Sequence, residues 1–159
     1  RSENLTGTGA VCLQLMGKSK TKEVKAALEF IGGKRLTELE AYDKRGSDGK
    51  KFEDSGMKVY GWYYDTQAMF NSGGRDWKSW NKVFKDVLTK SQNRQGYWEI
   101  KDNNHFKDDE GRILSTTWSV LQLEVYYRYL PSFNIANMKQ TQKSSAADDI
   151  LKDAGLIIE

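Results

Sequence analysis

Proline and cysteine are nearly absent from this sequence, which contains one residue of each among 159. Because proline breaks helices and marks turns, its scarcity favours long uninterrupted helices over a strand-and-turn architecture. The single cysteine, Cys12, excludes an internal disulfide framework. Since it stands on an apolar face of a predicted helix, we interpret Cys12 as a small buried hydrophobe.

Strong charge of one sign and long apolar runs are also missing. The 25 basic and 22 acidic residues leave a net charge of +3, which gives no electrostatic footprint for nucleic acid. No stretch reaches the roughly 20 apolar residues that a membrane span needs. The chain opens on Arg-Ser without a signal-peptide pattern, and we interpret it as a domain excised from a larger protein, with no indication of its compartment.

Metal ligands are scarce as well. His105 is the only histidine, and neither it nor Cys12 stands at a metal-ligand spacing, so we expect no zinc, no other metal and no cofactor. The acidic residues near that histidine, Glu99, Asp102 and the run Asp108–Glu110, lack EF-hand spacing. We therefore interpret them as a solvated acidic loop.

Aromatic residues, by contrast, are plentiful, at 12% of the chain with five Trp and eight Tyr. This content and the chain length predict one all-helical domain with a substantial core. Helical spacing of apolar residues predicts five helices, at 5–17, 21–32, 57–72, 76–91 and 111–130. The segments 34–56 and 93–110 are predicted to be polar loops, the first with an optional helical turn at Leu36–Leu39.

Local signals predict the helix ends and the centre of the fold. Glycines are expected to end the first three helices, at Gly17, Gly32–Gly33 and Gly73–Gly74, while Thr21 and Asp76 are expected to cap the second and fourth. Apolar residues surround the fifth helix on nearly all sides: Ile113, Leu114, Trp118, Val120, Leu121, Leu123, Val125 and Tyr126. We therefore expect the fifth helix to be central.

A weak internal repeat is visible. Thr8-Gly-Ala-Val, Thr66-Gln-Ala-Met and Thr117-Trp-Ser-Val each place a small residue two positions after threonine, followed by an apolar residue. The separations of 58 and 51 positions suit one helical hairpin with its connections. The small residues would let an inner helix approach its partners closely.

The repeat domain is predicted to span residues 1–133, and residues 134–159 form a polar tail or linker. Within that tail, Ala146, Ile150, Leu151 and Ala154 are spaced for one short helix.

Two aromatic segments and the link between them carry a family resemblance. The motifs are Tyr63-Tyr-Asp-Thr-Gln-Ala-Met-Phe with Gly73-Gly and Trp77-Lys-Ser-Trp-Asn, then Gln92-Asn-Arg-Gln-Gly96-Tyr-Trp98, and Leu123-Glu-Val-Tyr-Tyr-Arg-Tyr-Leu-Pro. Over residues 5–133 the chain resembles the prenyltransferase/squalene oxidase repeat family, which includes the squalene cyclases, and most of all bacterial repeat domains of that group. The resemblance implies antiparallel helical hairpins in an α/α toroid. For Gln92, Gly96 and Trp98 it implies a Gln-Trp type motif that ties a helix end to the next hairpin.

Two departures from the family pattern bear on function. A complete toroid has about twice as many helices, so the resemblance implies a partial ring whose apolar inner edge is covered by the rest of the parent chain or by self-association. The Asp-x-Asp-Asp acid motif of the cyclases and the zinc ligands of protein prenyltransferases are both absent from the sequence.

Aromatic and amide side chains on the third and fifth helices are the candidates for ligand binding. They are Tyr60, Trp62, Tyr63, Tyr64, Gln67 and Trp118. In a toroid they would line the mouth of a cavity, where aromatic walls suit isoprenoids or carbocations. The competing interpretation, which helical spacing favours, is that they pack between helices.

Asp65 and His105 are the candidates for acid–base catalysis. Burial within an aromatic run would raise the pKa of Asp65 and make it an acid, although a bond to a backbone amide or a tyrosine is the simpler interpretation. His105 has no identifiable partner, which favours an exposed loop histidine.

The sequence thus favours a non-catalytic binding or scaffold module of a larger bacterial protein, with a concave aromatic face for a protein segment or an apolar ligand. The alternative is an isoprenoid-processing enzyme domain, in which Asp65 or Asp108–Glu110 would supply the acid.

Overall fold

A computed structural model describes residues 3–43, 50–101 and 108–127. These residues are helical without any strand, which confirms the all-α prediction. Six α-helices are present among them: α1 (Thr6–Leu15), α2 (Lys22–Phe30), α3 (Leu36–Asp43), α4 (Lys58–Ser72), α5 (Gly74–Ser91) and α6 (Asp108–Leu123). Short 3-10 turns occur at Glu3–Leu5, Phe52–Asp54 and Glu124–Tyr127. His105, Asp102 and the tail 134–159 lie outside the described residues.

Glycines end α1 and α4 as predicted. Gly17 follows α1 with a φ of 75°, and its N–H donates to the Gln14 carbonyl while the N–H of Lys18 donates to that of Leu13. This pair of bonds is a Schellman motif, which satisfies the last carbonyls of the helix. Gly73 ends α4 and also has a positive φ, of 66°.

Gly32–Gly33 does not end the second helix, and this prediction was wrong. The chain continues from α2 through a π-helical turn, Ile31–Arg35, directly into α3. Neither glycine has a positive φ, so neither supplies the left-handed residue that a stop needs. The segment that we predicted as a polar loop therefore begins with a helix, and Arg35 is the last residue of the π turn that precedes it.

Thr21 occupies the predicted N-cap position of α2 in an extended conformation, but its side chain makes no capping bond. The cap predicted at Asp76 was not found. Asp76 lies inside the first turn of α5, since that helix already begins at Gly74. The apolar face predicted for α5 is confirmed, because all five of its members are buried: Trp77, Trp80, Phe84, Val87 and Leu88.

Helix α4 lies at the centre of the described structure. It contacts α1 on one side, α6 on the other and α5 behind, while α3 packs on α5. Gly7 lies beside Asp65, and Gln14 donates to the Ala68 carbonyl, so α1 and α4 run parallel. Helix α5 returns antiparallel to α4, because Trp80 bonds Thr66 and Trp77 packs on Phe70.

Helix α6 lies at the edge of the fold, which corrects the prediction that it is central. Ile113 is 65% exposed and Val120 is 41% exposed. The side that faces the core carries small or polar residues instead, including Ser115, Ser119 and Gln122, each at most 1% exposed. The small residues of the weak repeat, Ala10, Ala68 and Ser119, are all buried.

Candidate functional site

Three tyrosines of α4 and one tryptophan of α6 form a continuous aromatic cluster. Trp118 packs its ring 5.1 Å from Tyr60 and 5.0 Å from Tyr63, measured between ring centroids. Tyr64 lies 5.1 Å from Tyr60 and 4.8 Å from Tyr63, in edge-to-face geometry. Such contacts stabilise aromatic pairs beyond their buried area. The aromatic cluster therefore holds α4 and α6 together.

The aromatic cluster is only half-buried, so it also presents ring surface to solvent. Burial, followed by the neighbouring Tyr60, raises the pKa of the Tyr64 hydroxyl. Cys12 of α1 adds least to that effect. Cys12 is exposed, and our interpretation of it as a buried residue was wrong.

The two other ligand-binding candidates, Trp62 and Gln67, do not belong to the aromatic cluster. Trp62 has no exposed surface and packs its ring against Tyr42 at 5.1 Å and Phe52 at 6.2 Å. It is thus a core residue turned away from the aromatic cluster. Gln67 is half-buried, one turn beyond Tyr63 and Tyr64 on α4.

A narrow cleft runs beside the aromatic cluster between α4 and α6. Its lining includes Met57, Tyr60, Leu114 and Trp118, with Ile100 at one end. Its volume of about 10 Å³ holds about one water molecule. The cleft is far smaller than the several hundred Å³ of a small-molecule pocket, so the cluster offers a surface for contact.

Asp65 is buried in an ion pair that the sequence did not reveal. Its Oδ2 accepts from Arg35 Nε at 3.0 Å, while Arg35 Nη1 donates to Glu38 Oε2 at 3.0 Å. Burial raises the pKa of Asp65 to about 6, and Arg35 opposes only part of that increase. The main partner of Asp65 is thus an arginine from the π turn rather than a tyrosine, and the backbone of Gly7 affects the pKa least.

The absence of two β-carbons makes room for this pair. A Cβ on Gly7 would lie 2.5 Å from the backbone N and the Oδ1 of Asp65. A Cβ on Gly61 would lie 2.5 Å from Arg35 Nη2. Arg35 and Asp65 are both at most 2% exposed, so the carboxylate is enclosed. The geometry is that of a structural ion pair, without the access that a catalytic acid needs.

The Gln92–Trp98 link joins the end of α5 to α6. Gln92 Nε2 donates to the Gly96 carbonyl at 2.8 Å, and Trp98 Nε1 donates to the Leu88 carbonyl at 2.8 Å. Gly96 takes a φ of 90°, which only glycine adopts readily. The Trp98 carbonyl accepts from Ser115 of α6. The Trp98 side chain therefore bonds back to the end of α5, and the backbone of Trp98, rather than the side chain of Gln92 or Trp98, bonds α6.

The acidic run Asp108–Glu110 forms the start of α6 rather than part of a loop. Asp109 and Glu110 are exposed in its first turn, and Arg112 pairs with Asp109 and with Glu99. Across 3–43, 50–101 and 108–127, no group of three or more acidic, cysteine or histidine side chains is placed to hold a metal.

Comparisons with known proteins leave the family of this chain open, since no family model, no curated protein and no solved structure matches it significantly. Among the helices that the structure describes, none is both long and apolar enough to cross a bilayer.

Proposed function

We propose that the chain is a non-catalytic binding or scaffold module of a larger bacterial protein, and that its aromatic cluster contacts a protein segment or an apolar ligand. The observation that carries this proposal is the half-exposed array of Tyr60, Tyr63, Tyr64 and Trp118. Large aromatic side chains supply contact area at low conformational cost, which is why they dominate recognition surfaces.

We further propose that the helices form part of an α/α toroid of the prenyltransferase/squalene oxidase repeat type. Support comes from the parallel packing of α1 on α4, the antiparallel return of α5, and the Gln92 and Trp98 bonds at the exit of α5. In this arrangement α1, α4 and α6 would be inner helices, and the aromatic cluster would lie on the concave side.

The position of Asp65 argues against the enzyme alternative. An acid that protonates a substrate must reach it within hydrogen-bond distance. Asp65 is enclosed and paired with Arg35, and the neighbouring cleft holds about one water. The aromatic cluster by itself supplies contact and cation–π attraction without proton transfer.

Native mass spectrometry of the full chain tests the proposal, with and without added farnesol or farnesyl diphosphate. We expect a bound mass that Trp118→Ala reduces at least tenfold. Tyr127→Ala, which removes an exposed aromatic outside the cluster, should retain it. A product formed from farnesyl diphosphate would contradict the non-catalytic function. Equal binding by the Trp118 variant would contradict the proposal that the ligand binds at the aromatic cluster.

A further inference from the structure

An exposed seam runs along the outer side of α1 and includes the residue that precedes this helix and the residue that follows it. The seam consists of Leu5, Gly9, Cys12 and Met16, all exposed, with Leu5 at 53% and Met16 at 66%. Their spacing of four, three and four residues is that of the contact line between two packed helices. A Cβ on Gly9 would have open space for 4 Å around it, so nothing in the described residues covers the middle of the seam.

The carboxyl end of the seam is basic. Lys18, Lys20 and Lys22 follow the Schellman turn of α1, and all three are exposed. Positive side chains beside the end of an apolar seam favour a partner that combines apolar residues with acidic ones. Charge complementarity therefore restricts what can occupy the seam.

One segment of this chain outside the described residues has that composition. Ala147, Leu151, Ala154 and Ile158 repeat the spacing of four, three and four residues, with Ile150 and Ile157 beside them. Residues 146–159 contain four acidic side chains, Asp148, Asp149, Asp153 and Glu159, against one basic side chain, Lys152. The α1 seam and this second set of residues each span 11 positions, or about 17 Å along a helix.

We propose that residues 146–158 bind as a helix along the α1 seam of the same chain, antiparallel to α1. Asp148 and Asp149 then lie beside Lys18, Lys20 and Lys22. Gly155 lowers the intrinsic helix propensity of the segment, so the helix depends on docking for its stability.

Chain connectivity permits this direction. Tyr126 packs on Trp77 and Phe84 of α5, beside the middle of α4, whereas Gln14 of α1 reaches the carboxyl end of α4. The carboxyl ends of α1 and α6 thus lie on either side of α4. Two helix spacings of about 10 Å separate them, and the 18 residues 128–145 span up to about 60 Å when extended.

The proposal does not need the aromatic cluster to bind any ligand, so the two can fail separately.

Zero-length carbodiimide cross-linking of the full chain, followed by peptide mass spectrometry, tests the docking. In the monomer band we expect links from Lys18, Lys20 or Lys22 to Asp148 or Asp149. Met16→Glu should reduce those links at least fivefold, because it places a negative charge on the seam. The matched control is Ile113→Glu, at an equally exposed apolar position of α6. It should leave them unchanged.

Three results would overturn the proposal. They are the absence of these links in the monomer, their confinement to a dimer band, and an equal yield from the Met16 variant. A dimer-only result would assign the segment to a second copy of the chain. Circular dichroism of both variants establishes that each remains folded, since both substitutions are at exposed sites.

Discussion

The buried Arg35–Asp65 pair joins elements that are distant in sequence, at a net electrostatic cost. Arg35 also bonds Glu38, yet Arg35 Nη2 has no hydrogen-bond partner within the described residues. Removing two charges from water costs several kcal/mol each, which a single bond does not recover in full. The pair therefore contributes more to the orientation of α4 against the π turn than to stability.

Stability should respond to pH through Asp65. Burial raises its pKa from 3.8 to about 6. A carboxyl with a higher pKa in the folded state binds its proton more tightly there, so its contribution is full below 3.8 and is lost as the pH rises through 6. From this residue we expect the free energy of unfolding to be about 1–2 kcal/mol higher at pH 5 than at pH 8.

Urea unfolding of the wild type and Asp65→Asn across that pH range isolates this effect. Glu3 and Asp86 have lowered pKa values, so their contributions are lost only under more acidic conditions. The stability of the wild type relative to the variant should rise toward low pH. A difference that does not vary with pH would mean that Asp65 titrates normally.

At the scale of elements, the close contact of α1 with α4 depends on Gly7. Its missing Cβ would lie 2.5 Å from a backbone nitrogen of α4, which cannot move independently. Gly7→Ala should destabilise the fold by about 1–2 kcal/mol, since overpacking outweighs the gain in helix propensity. Gly9→Ala on the same helix meets no described residue within 4 Å, so it should destabilise the fold less than Gly7→Ala or stabilise it by up to about 1 kcal/mol. Thermal unfolding of both variants measures the two changes in stability. An equal change in melting temperature would contradict the packing of Gly7 against α4.

Local sequence signals predicted some elements well and others poorly, for a physical reason. The end of α1 at Gly17 and the buried face of α5 follow from local conformation and periodicity. Gly32–Gly33 carries the same local signal as Gly73–Gly74, and packing decides which pair ends a helix. Arg35 gave no signal, because its partner Asp65 is 30 positions away and nothing local distinguishes a buried arginine from an exposed one.

For the whole molecule, the helical class followed from composition, but the position of each helix did not. The sequence named candidate residues on α4 and α6 without predicting that Trp118 packs on the tyrosines, while Trp62, equally aromatic and two positions from Tyr60, faces the core. Apolar content suggested that α6 is central, yet its core-facing side is built from Ser115, Ser119 and Gln122. Small residues allow close approach without large apolar side chains, so hydrophobicity alone misplaced this helix.

Hydrogen exchange can decide which helix is central. Amides open locally with a free energy that reflects the contacts around them. Helix α4 is enclosed by α1, α5 and α6, so its amides from Trp62 to Met69 should exchange most slowly among the described helices. Amides of α6 from Ile113 to Leu121 should exchange faster, since one side of that helix is open to solvent. Exchange followed by mass spectrometry, normalised to the urea-unfolded chain, gives the order. The reverse order would return α6 to the centre and contradict the arrangement of α1, α4 and α6.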